Sequence, residues 1–200
     1  MTLTLPAVLA LAAQCAPAVA PETLLSIVQV ESRFNPLAIG VNGTPRVTVS
    51  ASTPQEAATK AAALIAAGRS VDLGLAQINS KNLGWLGLSV EAAFDPCRNL
   101  AAGARVLQAG YEGGADAQPA LRRALSRYNT GDARRGFTNG YVAKVERAAA
   151  EVVPAIQAQP VRLPSPTPET AESSPPAWDV FGQAAPASFV IRVSVPGDAP

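Results

Sequence analysis

Residues 21–36 read PETLLSIVQVESRFNP and predict an amphipathic helix that carries one carboxylic acid near its end. Pro21 and Glu22 suit a first helical turn, and a residue that precedes proline is pushed out of the helical region, so the helix ends near Asn35. Its apolar residues recur at spacings of three and four: Leu24, Leu25, Ile27, Val28, Val30 and Phe34. One face of this helix is therefore expected to pack on the core.

The acid at the end of this helix is Glu31. It follows Ile27 by four residues and Val28 by three, so its side chain emerges beside the buried face. Partial burial disfavours the charged form of a carboxyl and raises its pKa towards the range of a general acid at neutral pH. The alternative is a helix-end glutamate paired with Arg33 or another base.

A second informative stretch is residues 70–80, SVDLGLAQINS. Gly74 permits backbone angles that other residues avoid, and Gln77 and Asn79 carry amides that can bond sugar hydroxyl and acetamido groups. Alone these amides would be read as turn and cap residues. Together with Glu31 they indicate a site that cleaves a sugar chain.

Three motifs, in order along the chain, resemble those of lysozyme-like lytic transglycosylases. They are ESRFNP at 31–36, GLAQIN at 74–79 and YNTG at 128–131. Four further segments resemble more closely the specialised transglycosylase subunit of bacterial type IV secretion systems: AIGVN at 38–42, VDLG at 71–74, FDPC at 94–97 and NL at 99–100. The resemblance covers about the first 150 residues.

The resemblance implies a reaction in which Glu31 is the single catalytic acid. It would protonate the oxygen between N-acetylmuramic acid and N-acetylglucosamine, then accept the proton of the muramyl 6-hydroxyl, giving a 1,6-anhydro product. Gln77 matches a substrate-contacting glutamine, Tyr128 and Asn129 match a pair near the acetamido group, and Tyr141 resembles a tyrosine that positions the acid. The candidate substrate-binding residues are Ser32, Ser70, Asp72, Gln77, Asn79, Tyr128, Asn129 and Tyr141.

Asp72 opens an alternative, because residues 70–80 also resemble the segment of animal C-type lysozymes that holds a second catalytic carboxylate. Were Asp72 to face Glu31 at roughly 5 Å, the pair would suit a retaining hydrolase and make the protein a muramidase. Asp72 could equally be a turn carboxylate that caps nearby amides. A third possibility is a non-catalytic wall-binding assembly subunit, against which the intact Glu31 argues.

Composition suits a compact enzyme domain. The 200 residues are 48% hydrophobic and 16% charged, enough for one core. The net charge of +1 argues against a nucleic-acid partner. With no histidine and two cysteines, the chain can build neither a zinc site nor a serine-histidine-aspartate triad, and no cofactor or metal is expected.

The two cysteines bear on location. A bridge between Cys15 and Cys97 would tie the start of the domain to its middle and contribute about 4 kcal/mol to its stability. Such a bridge would favour a periplasmic location. The alternative is two free buried thiols. Residues 3–13 are apolar, but they are too few to span a bilayer and no Lys or Arg precedes them. We expect a periplasmic or cell-envelope protein with no clear signal peptide and no transmembrane segment.

The predicted fold is α+β and mainly helical, a lysozyme-like domain with a small β lobe over residues 1–153. A proline-rich flexible linker at 154–177 and a short tail at 178–200 follow it. The resemblance implies that the tail docks on secretion components, with Trp178 to Val195 as the docking segment. The predicted elements are an extended segment at 46–50 and helices at 6–14, 21–34, 54–67, 96–111, 118–128 and 139–153.

Overall fold

A computed structural model describes residues 2–113 and 117–158. The structure confirms a mainly helical α+β fold with one small antiparallel sheet. In chain order, the elements are α1 (Leu5–Cys15), α2 (Pro21–Ser32), β1 (Ile39–Val41), β2 (Val47–Val49), α3 (Pro54–Ala66), β3 (Val71–Leu73), β4 (Ile78–Asn79), α4 (Leu83–Leu86), α5 (Pro96–Ala109), α6 (Ala117–Thr130), α7 (Arg135–Thr138) and α8 (Tyr141–Gln157). Two short 3₁₀ turns, Ser80–Asn82 and Ala92–Phe94, flank α4.

The sheet has the strand order β2-β1-β3-β4, and every neighbouring pair is antiparallel. Gly40 of β1 lies between Thr48 of β2 and Asp72 of β3. Across β3 and β4, Asp72 is paired with Asn79. Because side chains at paired positions share a face of the sheet, this register gathers polar residues of distant sequence segments on one surface.

Helix α2 packs its apolar face into the core as predicted, and Leu24, Leu25, Ile27 and Val28 are fully buried. It ends at Ser32, two residues before the predicted end. Arg33 and Phe34 adopt left-handed angles, with φ of 52° and 62°, and the Arg33 N–H still bonds to the carbonyl of Gln29. This left-handed cap ends the helix before Pro36 takes effect.

A disulfide joins Cys15, the last residue of α1, to Cys97 in the first turn of α5. The predicted bridge is confirmed, and the alternative of two free thiols is wrong. The bridge closes a loop with a sequence separation of 82 residues, and a loop of this length corresponds to about 4 kcal/mol of stabilisation in the chain-entropy picture. It fixes α1 against the helix that supports the β3–β4 turn.

The last helix differs from the prediction. Helix α8 continues through Pro154 to Gln157, four residues beyond Val153. Val152 is buried and Ile156 packs on the core, so apolar contacts hold the final turn even though Pro154 lacks an N–H. The rest of the predicted linker and the whole tail, including Trp178 to Val195, lie outside the described residues. Within residues 2–113 and 117–158, no helix combines the length and apolar character needed to cross a membrane.

Candidate active site

Two adjoining cavities, of about 710 and 590 Å³, form a cleft beside the sheet. Glu31, Arg46, Gln77 and Asn129 line both of them. The first cavity extends along β3, β4 and α6, and the second lies between α2, β1 and the start of α8. Glu31 therefore lies where the cavities meet, so an extended ligand can bind on both sides of its carboxyl.

Glu31 is bonded to Tyr141, the first residue of α8. The phenol hydroxyl donates to Glu31 Oε1 at 2.6 Å, and the Tyr141 ring is only 5% exposed. Asn139 Oδ1 accepts the backbone N–H of Tyr141 at 3.0 Å and fixes the start of the helix. The structure thus pairs Glu31 with a neutral phenol 110 residues away along the chain and leaves Arg33 exposed.

Burial raises the pKa of Glu31 from its ordinary 4.5 to about 7. The hydrogen bond from Tyr141 favours the charged form and opposes this rise, as do the charges of Arg46 and Lys144, while the charge of Asp72 adds to it. The predicted direction is confirmed. A carboxyl with a pKa near 7 can both give and take a proton at neutral pH.

Burial also raises the pKa values of the Tyr128 and Tyr141 phenols well above their usual range. The negative charge of Glu31 adds to this effect at both rings. Both phenols consequently stay neutral at physiological pH and remain hydrogen-bond donors. Tyr128 donates to the carbonyl of Ala76 at 2.7 Å and so holds the loop before β4 against α6.

Both carboxylate oxygens of Asp72 are engaged by neighbouring side chains. Arg46 Nη2 lies 2.9 Å from Oδ2, and Asn79 Nδ2 donates to Oδ1 at 2.7 Å. Asp72 lies in strand β3 and not in a turn, so of the alternative role as a turn carboxylate only the bond to a nearby amide, that of Asn79, is present. It lines the first cavity together with Glu31, but as the anionic member of a polar network.

Gln77 is also held by the protein. Its Nε2 donates to the carbonyls of Ala38 and Gly74 at 3.1 and 3.0 Å, and its Oε1 accepts from Arg46 at 3.4 Å. A Cβ atom on Gly40 would lie 2.7 Å from Arg46 Nη2 and 2.9 Å from Gln77 Oε1. Glycine at position 40 therefore leaves the space in which the arginine and the amide meet.

The β3–β4 turn depends on Gly74, which has a φ of 71°. A Cβ atom there would lie 2.4 Å from Asn99 Nδ2. Asn99 is buried, donates to the carbonyls of Leu73 and Ala93 at 2.9 and 2.7 Å, and accepts the N–H of Ala76 at 2.7 Å. This one amide replaces the backbone partners that the turn lacks.

The remaining predicted site residues lie around the same cleft. Ser70 and Asn79 are bonded to each other at 3.0 Å and line the first cavity. Ser32 lines the second cavity, although its hydroxyl donates to the carbonyl of Val28 within α2 at 3.3 Å. Asn129 is exposed and accepts from Asn139 at 2.9 Å. The fold thus gathers all nine predicted residues at one cleft.

Sequence reasoning missed Arg46, Trp85 and Lys144, which also line the cleft. Arg46 precedes β2 and belongs to no motif, and only the folded sheet brings it to the ion pair with Asp72. Trp85 could have been recognised as a candidate from the sequence. It is one of only two tryptophans in the chain and follows the 70–80 segment by five residues.

Comparison with known proteins agrees with this geometry. Residues 9–150 match the transglycosylase SLT domain. The protein virB1 of Agrobacterium fabrum is 44% identical over 174 residues, which cover 86% of this chain and 69% of the relative. The type IV secretion system protein virB1 of Brucella suis biovar 1 is 41% identical over 177 residues, which cover 84% of this chain and 74% of the relative. No solved structure matches.

The matched region runs from α1 into α8 and includes Glu31, the β3–β4 turn and Tyr141. The chain belongs to the transglycosylase SLT family and is a homologue of the VirB1 proteins of type IV secretion.

Proposed function

We propose that this protein is a peptidoglycan lytic transglycosylase that cleaves the β-1,4 bond between N-acetylmuramic acid and N-acetylglucosamine. The observation that carries the proposal is the state of Glu31. It lies at the junction of two cavities, has a pKa raised to about 7 by burial, and receives a hydrogen bond from a neutral phenol. Membership of the transglycosylase SLT family supports the same activity.

In the proposed reaction, protonated Glu31 gives its proton to the glycosidic oxygen, and the bond between that oxygen and the anomeric carbon breaks. The resulting carboxylate then accepts the proton of the muramyl 6-hydroxyl. That oxygen bonds to the anomeric carbon and closes the 1,6-anhydro ring. Glu31 ends the cycle protonated and no water is consumed. The Tyr141 hydroxyl bonds to the carboxylate while it is charged, which is when the bond is strongest.

The alternative is a muramidase in which Asp72 takes part, and its basis is that Asp72 shares a cavity with Glu31. The contacts of Asp72 favour the transglycosylase. A carboxylate bonded on one oxygen by Arg46 and on the other by Asn79 has little freedom to attack an anomeric carbon. We therefore assign Asp72 a structural and electrostatic role.

Mass spectrometry of the fragments released from purified peptidoglycan tests the proposal. We expect muropeptides that end in 1,6-anhydro-muramic acid, no release by Glu31→Gln, and the same anhydro ends from Asp72→Asn. Reducing ends that disappear in Asp72→Asn would establish the muramidase. Full activity of a folded Glu31→Gln variant would show that another group supplies the proton.

The biological role that we propose is local opening of the cell wall for assembly of a type IV secretion or conjugation apparatus. The names of the VirB1 relatives support this role. The periplasm or cell envelope is the corresponding location, and the Cys15–Cys97 bridge supports an oxidising compartment. Secretion by a deletion strain should return with the wild-type gene but not with Glu31→Gln.

We further propose that the segment Trp178 to Val195 docks on other components of the apparatus. Its sequence supports this: residues 188–195, SFVIRVSV, alternate in the way that suits addition of a strand to a partner's sheet edge. Removing residues 159–200 leaves α8 complete. Such a variant should cleave isolated peptidoglycan normally but lose co-purification with the apparatus. Unchanged co-purification would disprove the docking role.

A further inference from the structure

Within the described residues, three aromatic side chains are notably exposed: Trp85 at 49%, Tyr111 at 42% and Phe137 at 39%. Of these, Trp85 lines the 710 Å³ cavity that contains Glu31. Trp85 does not line the second cavity, so it lies on one side of the catalytic acid only. A large apolar ring left in solvent within a cleft is a frequent mark of ligand binding.

The backbone around Trp85 forces the ring outward. Helix α4 consists of four residues, of which Leu83 and Leu86 are buried at 8% and 6% exposure. These two side chains, three positions apart, anchor one face of the helix on the core. Gly87, with a φ of 64°, then ends the helix. Trp85 therefore presents its indole to the cleft.

The ring is also fixed in orientation. The indole Nε1 donates to Asn82 Oδ1 at 3.2 Å, and the guanidinium carbon of Arg105 lies 5.6 Å from the ring centre. Arg105 is itself held, because its Nη1 donates to the carbonyl of Leu86 at 2.8 Å. A preoriented ring loses little conformational freedom when a ligand binds to it.

Polar groups line the same cavity as the ring. Asn82 and Lys81 precede Trp85, and Arg127 lines the cavity from α6. An amide and two cations in the same cavity as an aromatic face suit a ligand with an apolar face and a polar edge. A pyranose ring has this character, since its C–H groups form a face and its hydroxyl and acetamido groups project around it.

We propose that Trp85 is a stacking platform for an N-acetylated hexosamine of the glycan strand, bound in the first cavity away from the bond that is cut. The inference rests on the proposed function and adds to it a substrate-binding residue. The platform gives binding energy equally to substrate and transition state. Its loss therefore weakens binding without slowing the chemical step.

Kinetics on soluble, uncrosslinked glycan strands test the platform. Trp85→Ala should raise KM about tenfold with kcat within about twofold, as expected for the loss of one aromatic contact that the bound ligand covers. Trp85→Phe should recover part of the affinity. Phe137→Ala is the matched control, because Phe137 is exposed and lies 5.4 Å from the guanidinium of Arg122 but does not line either cavity. Its KM should equal that of the wild type.

Binding can be followed without turnover. The chain has two tryptophans, so a Glu31→Gln, Trp178→Phe variant leaves Trp85 as its sole indole emitter. Titration with a hexamer of N-acetylglucosamine should shift its emission to shorter wavelength and saturate. An unchanged KM in folded Trp85→Ala, or emission that does not respond to the hexamer, overturns the platform.

The outcomes of the two tests are separable. A wild-type protein that releases no anhydro product while Trp85 emission still saturates would overturn the proposed function and retain the platform. A wild type that releases anhydro product, with Trp85 emission that does not respond to the hexamer, would retain the proposed function and overturn the platform. Should Trp85→Ala fail to fold, the KM of Trp85→Phe and the emission titration test the platform in its place.

Discussion

Replacement of Glu31 by glutamine should make the folded protein more stable at alkaline pH while abolishing turnover. The reason is linkage between protonation and folding. The Glu31 pKa is about 7 in the folded chain and 4.5 as its ordinary value, so folding takes up a proton between these pH values. The contribution of protonated Glu31 to stability is fully present below pH 4.5 and is lost as the pH rises through 7. The glutamine side chain does not titrate, so the variant loses no stability from this position as the pH rises.

The size of the effect follows from these two pKa values. They differ by about 2.5, and each pH unit corresponds to about 1.4 kcal/mol, which sets an upper value of about 3.5 kcal/mol. Water in the open cleft screens the carboxylate, so we expect about 2 to 3 kcal/mol. Against a typical domain stability of about 5–15 kcal/mol, such a difference is readily measured.

The assay is urea unfolding of wild type and Glu31→Gln at pH 4 and pH 8. The difference in unfolding free energy between the two proteins should be near zero at pH 4 and about 2 to 3 kcal/mol at pH 8, in favour of the variant. Glu151→Gln, at an exposed position of α8, controls for the loss of one carboxylate and should change stability little. A difference between wild type and Glu31→Gln that stays constant from pH 4 to pH 8 would refute the elevated pKa.

Three further predictions concern the surroundings of Glu31 and the β3–β4 turn. Tyr141→Phe removes a donor that lowers the Glu31 pKa, so the alkaline limb of the pH–rate profile should move up by about one pH unit. Asp72→Asn should move that limb down and Arg46→Gln should move it up, because Asp72 raises and Arg46 lowers the Glu31 pKa; the double variant should return close to wild type. Gly74→Ala should lower the urea unfolding free energy by about 2 kcal/mol or more, since φ is positive and the Asn99 amide occupies the space.

Local patterns in the sequence predicted the helices and the acid. The three-and-four spacing around Leu24 and Val28 placed α2, and the position of Glu31 beside that face predicted its burial. The pairing of Tyr141 with Glu31 came from a family resemblance, because no local rule links residues 110 positions apart. Local patterns do not determine where a helix ends, and the left-handed angles at Arg33 end α2 two residues earlier than the pattern predicts.

The polar network of the cleft could not be predicted from local patterns. The ion pair of Arg46 and Asp72 forms because β1 aligns Gly40 between two strands, and strand register is a property of the whole sheet. The same holds for Asn99, whose two bonds to the β3–β4 turn, to Leu73 and Ala76, require α5 to lie beneath it. Local patterns predict which types of side chain the cleft contains. Which of these side chains bond to each other depends on packing between distant parts of the chain.

The bridge between Cys15 and Cys97 makes the stability of the enzyme depend on the redox state of its compartment. In a reducing compartment the chain lacks the cross-link across 82 residues and is less stable by about 4 kcal/mol, a large share of a typical domain's total. Cys97 lies in the first turn of α5, the helix whose Asn99 holds the β3–β4 turn at the cleft. Loss of the bridge therefore weakens the support that α5 gives to the β3–β4 turn at the cleft. The stability of the cleft is thereby coupled to an oxidising compartment, in which the bridge persists.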